Sequence, residues 1–370
     1  MAKEQEKKTG EESPKSKKGL IIGIISAIVV AGGAVAAFLI LNKGSSPENV
    51  ALDAVTKTIK APAHKINGKI ELSTAVASVI EPNASNKAKI TIEIDGENNN
   101  LDAASSATLT IKTTGMSDFV FRFDSILQKD GVIYIKPSDL TAFINSIVST
   151  YKDYLSVAPL SNIVSEVKSL AAKVSSNWWR ISLPEVLEAL GMKDKNFADE
   201  YECFVTTANT LAGESGRNAL ADTYKEHQFL NIKKSDKGIT SFTGDVYEAT
   251  VDTNKLVDFW NKYITSDQVK EMDKCSSEKV TTKTVTADKV PSISGTIFLD
   301  IDKDHNLKGI YLSESKDNTT VDADLRIENG SEEFSTSAPA GAKPITDLTN
   351  DVVKIVQSVM SLFSMLQTAE

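Results

Sequence analysis

Apolar residues alternate with polar ones in a series of segments after residue 60, the period of strands with one packed and one solvated face. The apolar positions are Ile66, Gly68, Ile70 and Leu72, then Ala88, Ile90, Ile92 and Ile94, then Leu101, Ala103, Ala107, Leu109 and Ile111, then Phe119, Phe121 and Phe123. Polar stretches such as "DGENNN" separate the segments. The pattern predicts a meander of antiparallel strands that ends with the short run "GVIYIKP". A short strand is expected at "NWWRIS", strands resume in "HQFLNIKKSDKGITSFTGDVYEATVD", and three more follow between residues 292 and 328.

Helical spacing replaces this alternation elsewhere in the chain. Apolar residues recur three and four positions apart in the region 138–227 and in the C-terminal segment 345–367. Two shorter helices are expected, one that begins at Pro47 and one, "TNKLVDFWNKYI", that Asp252 can cap. Runs of strands and runs of helices follow each other along the chain, so we expect an α+β fold.

The longest apolar run predicts a membrane anchor. Residues 20–41 form 22 consecutive uncharged positions, which as a helix would rise about 33 Å and cross a bilayer core. Lys15, Lys17 and Lys18 precede this run and only Lys43 follows closely. The positive-inside rule therefore places the N-terminus in the cytoplasm and the rest of the chain outside, as in a single-pass plasma-membrane protein.

A cleaved signal peptide is the alternative, since "AVA" at 34–36 resembles a cleavage site. However, "AFLIL" follows it, and the run exceeds the usual apolar region of about 7–15 residues. No cysteine precedes Cys203, which excludes a lipid-modified cysteine at that point. We expect an uncleaved anchor that divides the chain into a basic cytoplasmic tail (1–19), a transmembrane helix (20–41), a short linker (42–46) and an extracytoplasmic domain (47–370).

Charge excludes one class of partner. The net charge is −9, and the first 18 residues carry six lysines against four glutamates, which leaves −11 for the remainder. Nucleic-acid binding requires clustered Lys and Arg, so no nucleic-acid partner is expected. The expected partner is the membrane, through the chain's own helix, and no protein partner can be named from the sequence.

The two cysteines, Cys203 and Cys275, both fall in the predicted outside portion. An oxidising compartment permits a disulfide between them, and this is the pairing we expect. The alternative is two unrelated buried thiols.

Motifs for catalysis or metal binding are weak. The three histidines lie in polar stretches, and no H-E-x-x-H, G-x-S-x-G or phosphate-binding glycine loop occurs. The stretch "DIDKDHNLKGIYLS" resembles a calcium loop, but His305 occupies the glycine position and Tyr311 the glutamate position. A hairpin with the polar turn "DKDHN" explains it better. We expect no enzyme activity, metal or cofactor.

Two features are candidates for ligand contact. Trp178 and Trp179 are adjacent, so on a strand they point to opposite faces, one into the core and the other toward a cavity or a sugar. A partly exposed tryptophan at the core edge is the plainer explanation.

The C-terminal segment carries a broad apolar stripe that suits a core helix, a lid over a ligand, or membrane contact. The stripe residues that we single out are Val352, Ile355, Val356, Val359 and Phe363.

Taken in order, "VALDAVTKTI", "KINGKIELS", "AKITIEIDG", "GVIYIKP", "NWWRIS" and "GTIFLDIDKDHNLKGIYLS" resemble the LolA-like superfamily of cell-envelope proteins, including the LppX/LprG type. The resemblance implies a curved antiparallel β half-barrel with helices packed on its concave side around an apolar cavity. Characterised members bind lipids or lipoproteins. No site residue can be transferred by position, and a transmembrane anchor is unusual for that group.

The expected function is non-catalytic binding of a lipid or another apolar ligand near the outer membrane surface. The alternative is a surface interaction or scaffold module, or a sensor, with no small-molecule ligand.

Overall fold

The fold is α+β, with a large, open, curved and mostly antiparallel sheet and helices. It is known from a computed structural model. The described residues are 47–77, 85–99, 102–113, 118–150, 152, 160–189, 191, 197–275, 285–286, 296–316, 319–330, 335–355 and 357–358. The predicted tail, transmembrane helix and linker therefore lie outside the described residues. Within the described ranges, none of the helices is long and apolar enough to cross a bilayer.

The strands occupy the segments in which strands were predicted, and the two-residue strand β12 is added. Their bounds are β1 (Ala63–Ala77), β2 (Ser85–Asn99), β3 (Asp102–Thr113), β4 (Phe119–Leu127), β5 (Ile133–Lys136), β6 (Trp179–Ile181), β7 (Leu230–Lys234), β8 (Asp245–Val251), β9 (Thr296–Ile301), β10 (Leu307–Lys316), β11 (Thr319–Gly330) and β12 (Lys343–Pro344). The hairpin predicted for "DIDKDHNLKGIYLS" is confirmed as β9 and β10, with His305 in the turn at a φ of 58°.

Helices fill the intervals between these strands. Their bounds are α1 (Pro47–Lys60), α2 (Leu140–Thr150), α3 (Leu160–Ser175), α4 (Leu183–Ala189), α5 (Phe197–Ala212), α6 (Glu214–Glu226), α7 (Thr253–Ile264) and α8 (Asp267–Asp273). The cap predicted for α7 is confirmed, since the Asp252 carboxylate accepts hydrogen bonds from the backbone N–H groups of Asn254 and Lys255. The C-terminal segment starts as a 3-10 turn, Ile345–Leu348, and continues as helix over 349–355 and 357–358.

Strand order in the sheet is β12-β6-β5-β4-β3-β2-β1-β11-β10-β9-β8-β7. The predicted meander accounts for the run from β1 to β5. The later strands join it because β1 pairs with β11, where Ile66 lies opposite Ile327. A glycine at position 68 permits this pairing, since an added Cβ would collide with the Asp324 carbonyl oxygen. β12 pairs with β6 in parallel, which makes the sheet mixed at that edge.

The main core lies where α1, α6 and α7 cover strands β7 to β10 on one face of the sheet. Ala51, Ala54 and Val55 on α1 are completely buried there, because small residues allow the helix backbone to approach the strands closely. Tyr224 of α6 packs edge-on against Phe229 with ring centroids 5.1 Å apart. This end of the sheet is therefore closed by helices.

Candidate functional site

The alternating apolar positions of the central strands meet on one face of the sheet. In this register Ile92 of β2 lies opposite Ile70 of β1 and Leu109 of β3, and directly paired residues project to the same side. We call this surface the central apolar face. Its members are Ile66, Ile70, Leu72, Ile90, Ile92, Ile94, Leu109, Ile111, Phe121, Phe123, Leu312, Val321 and Leu325. All of these residues are only half-buried, unlike the residues beneath α1 and α6.

Helices lie beside the central apolar face at both ends. Leu325 is paired with Ile310 of β10, which belongs to the core under α1, so α1 lies on this side of the sheet. At the other end α2 packs on β4, where the Phe143 ring is 5.8 Å from Phe121 and 6.3 Å from Phe119. Both helical layers thus occupy the same face, and the half-buried apolar strip lies between them.

The two adjacent tryptophans point to opposite sides of the sheet. Trp179 is opposite Ile135 of β5, is completely buried, and donates its indole N–H to the Val174 carbonyl oxygen at 2.8 Å. It is a core residue that fixes β6 against α3. Trp178 is half-buried on the other side, and among the described residues its indole N–H has no hydrogen-bond partner.

Trp178 forms one end of an open groove of about 390 Å³ on the polar face of the sheet. We call it the Trp178 groove. The side chains that line it come from strands β1 to β4 and from Trp178 itself: Lys65, Asp95, Glu97, Ala104, Ser106, Asp124, Ile126 and Trp178. The lining carries one lysine and three carboxylates, and therefore a net charge of −2 at neutral pH.

The described part of the C-terminal helix rests on α3 through polar contacts. Lys173 Nζ lies 2.6 Å from Asp351 Oδ2, and Ser358 Oγ donates a hydrogen bond to Glu166 Oε2 at 2.8 Å. Two apolar side chains of this helix point to solvent, with Val352 47 % and Val353 45 % exposed. Ile355 is half-buried. Of the remaining predicted stripe, Val356, Val359 and Phe363 lie outside the described residues.

The two cysteines are joined. Cys203 of α5 and Cys275, just after α8, form a disulfide with their Cα atoms 5.3 Å apart. Cys275 is buried, so the bond holds α8 against α5. Neither cysteine belongs to the central apolar face or lines the Trp178 groove, and the role of the bond is structural.

The aspartates of "DIDKDHN" have separate partners and do not converge. Asp300 is completely buried and bonds to Arg326, whereas Asp302 accepts hydrogen bonds from the Asn306 and Asp304 backbone N–H groups. Desolvation raises the pKa of Asp302, but these hydrogen bonds outweigh it and lower the pKa overall. Across the described residues no group of three or more His, Cys, Asp or Glu side chains is arranged to hold a metal ion.

Some of the charged side chains on the polar face form ion pairs with each other. Glu71 of β1 accepts hydrogen bonds from Lys69 at 2.6 Å and from Lys89 of β2 at 2.8 Å. These hydrogen bonds lower the pKa of the Glu71 carboxyl. By contrast, Lys65, Asp95 and Glu97 at the Trp178 groove form no salt bridge with any described residue.

Sequence reasoning identified Trp178 as a candidate but missed the groove that contains it. The alternation already marks the polar positions of each strand, but which of them become neighbours depends on strand register.

Comparison of the chain with protein-family models and with curated proteins finds no match.

Proposed function

We propose that this protein is a non-catalytic, membrane-anchored extracytoplasmic protein that binds a lipid or another apolar ligand on the central apolar face. The observation that carries the proposal is the incomplete burial of that face. Isoleucine, leucine and phenylalanine side chains from six adjacent strands remain only partly buried between two helical layers. Soluble domains seldom leave a contiguous apolar surface of this kind uncovered unless it contacts something.

The energetics favour an apolar occupant. Full burial of an Ile, Leu or Phe side chain is worth about 1.5–3 kcal/mol, so completing the burial of one that is already mostly buried contributes at most about 1 kcal/mol. A ligand that covers most of the central apolar face would therefore offset an association cost in the lower part of the usual range of about 4–15 kcal/mol. A polar ligand would gain nothing from these side chains.

The architecture supports the same proposal. An open curved sheet with helices on its apolar face fits the half-barrel of the LolA-like superfamily, with the helices on the concave side.

In the proposed topology, residues 20–41 anchor the chain in the plasma membrane with the N-terminus in the cytoplasm. The five linker residues 42–46 span at most about 17 Å, which keeps α1 close to the outer membrane surface. A protein tethered in this way would bind its ligand locally and would not carry it between membranes.

Native mass spectrometry of the full-length chain, purified in a mild detergent, tests the proposal. We expect a co-purifying lipid, identified after organic extraction, and its occupancy should fall at least tenfold in Ile92→Asn. Val120→Asn is the matched control, because Val120 lies on the opposite face of β4 and is 41 % exposed. Lipid-free wild-type protein, or equal occupancy in both variants, contradicts apolar-ligand binding.

The exposed Val352 and Val353 support a second candidate, a surface interaction or scaffold module, or a sensor, with no small-molecule ligand. Two adjacent apolar side chains on a helix surface suit contact with another protein. A photo-crosslinking residue at position 352 would recover one stoichiometric partner if this candidate is correct. Absence of any specific crosslink from membranes of the native cell contradicts it.

A further inference from the structure

We infer that the Trp178 groove binds an uncharged glycan chain. The groove lies on the polar face of the sheet, opposite the central apolar face, so this inference does not depend on apolar-ligand binding. The two neighbouring tryptophans differ in their contacts. Trp179 packs β6 against α3, whereas Trp178 is half-buried at the end of a groove and its indole N–H has no partner among the described residues.

A partly buried tryptophan beside polar side chains suits a sugar. The ring offers a flat apolar surface for the C–H face of a pyranose, and its N–H can donate a hydrogen bond to a hydroxyl. Ala104 and Ile126 extend the apolar contact along the floor of the groove, where the two residues are directly paired across β3 and β4. Few other ligand classes present apolar and hydroxylated faces side by side.

The polar lining supplies the acceptors that sugar hydroxyls require. Asp95 and Glu97 of β2 project into the groove and have no ion-pair partner among the described residues. Asp124 of β4 accepts one hydrogen bond, from Ser138 Oγ at 3.3 Å, and retains free acceptor capacity. Carboxylates accept hydrogen bonds from hydroxyls more strongly than neutral groups do. Lys65 adds a donor at the far end of the groove.

Charge and shape narrow the class of glycan. The net charge of −2 on the lining disfavours sulfated, phosphorylated or uronic-acid glycans, because like charges would face each other. The groove crosses strands β1 to β4, a distance of about 14 Å at the usual strand spacing, before it reaches Trp178. An open groove of that length suits several units of a linear chain better than a single enclosed sugar. An uncharged oligosaccharide fits these limits.

Titration of the full-length chain in detergent with chitohexaose and, separately, with cellohexaose tests the inference. Tryptophan fluorescence and calorimetry should show saturable binding of at least one of these uncharged hexasaccharides. Trp178→Ala should weaken binding at least tenfold, because the stacking surface is removed, and Asp95→Asn should weaken it about threefold. Trp178→Phe, which keeps a flat ring, should retain most of the affinity.

Trp260→Phe and Asp267→Asn are the matched controls, since Trp260 lies on α7 and the Asp267 side chain is fully exposed on α8. Both should bind like the wild type, and circular dichroism should show that every variant is folded. The inference is overturned if neither hexasaccharide binds or if Trp178→Ala binds normally. Saturable binding of spermidine in place of both sugars, lost in Trp178→Ala, would assign the groove to organic cations and overturn it as well.

Discussion

Arg326 of β11 reaches across the intervening strand β10 to Asp300 of β9, and its Nη1 donates a hydrogen bond to Asp300 Oδ2 at 2.7 Å. Gly309 of β10 lies directly between them in the register, paired with Asp300 on one side and with Arg326 on the other. Because this position has no side chain, the guanidinium can lie over the strand. An added Cβ would be only 2.8 Å from Arg326 Nη1.

Removal of the buried carboxylate should destabilise the fold strongly. Asp300 is completely buried and also accepts hydrogen bonds from the backbone N–H groups of Thr243 and Gly244. We expect Asp300→Ala to lower the free energy of unfolding by about 3–5 kcal/mol, because it removes the acceptor of these two N–H groups and leaves Arg326 only its longer ion pair with Asp324, at 3.8 Å. Urea unfolding measures this change. Asp304→Ala, an exposed neighbour in the same hairpin, should change stability by less than about 0.5 kcal/mol.

A side chain at position 309 should disrupt the same ion pair, because Gly309 lies between Asp300 and Arg326. We expect Gly309→Val to destabilise the protein by at least about 2 kcal/mol, because the methyl groups would displace Arg326 from Asp300. The effect should be clearly smaller in an Asp300→Ala background, where the Asp300–Arg326 ion pair is already absent. Equal losses in both backgrounds, measured by the same urea titration, would show that strain in β10 dominates.

Reduction of the disulfide should lower stability without affecting either candidate surface. The Cys203–Cys275 bond closes a loop over a sequence separation of 72 residues. Its loss should decrease the free energy of unfolding by about 4 kcal/mol in the chain-entropy estimate. Thermal unfolding with and without a thiol reductant measures this difference. The double variant Cys203→Ser/Cys275→Ser should show no response to the reductant.

Acidification should destabilise the protein partly through His64. Burial lowers the pKa of His64 below its ordinary value of 6.5, although its contact with the Thr58 carbonyl oxygen at 2.6 Å and the Asn98 side chain oppose the shift. The unfolded chain therefore binds a proton more readily below about pH 6.5 than the folded chain does. The stability that depends on neutral His64 is present above that pH and decreases as the pH falls.

Thermal unfolding from about pH 7.5 to about pH 5 measures the His64 contribution. The Tm of His64→Gln should fall less over this interval than the Tm of the wild type. His227→Gln, which removes a histidine at the end of α6, is the control and should follow the wild type. If all three proteins lose the same number of degrees, His64 does not contribute to the pH dependence.

Some polar segments were harder to predict than the apolar ones. The stretch "DGENNN" was expected to separate strands, yet β2 continues to Asn99 because both of its neighbours pair with it there. Strand pairing overrides the low strand propensity of Gly and Asn at these positions. Helix α8 was also missed, since it is short and polar and depends on Ser266, which caps it by accepting a hydrogen bond from the Val269 N–H.

The Trp178 groove and the Asp300–Arg326 pair each had a weak sequence signal, of which only the one at Trp178 entered the prediction. A glycine inside an alternating strand, as at position 309, indicates that another group approaches closely there. Two adjacent tryptophans indicate that one of them must face away from the core. Neither pattern names the partner, because the partner lies on a strand whose position depends on the whole sheet.

By itself, the sequence determined the apolar side of each strand, the main helices, the α7 cap and the β9–β10 hairpin. These features follow from periods of two and 3.6 residues and from local hydrogen bonds, which do not depend on distant segments. Only the tertiary structure decided that β1 pairs with β11, that Trp178 lines one groove with carboxylates of β2 and β4, and that the central apolar face stays only partly buried. Those outcomes depend on register and packing between segments far apart in the chain, because backbone hydrogen bonds between strands are available in many alignments until the whole core selects one.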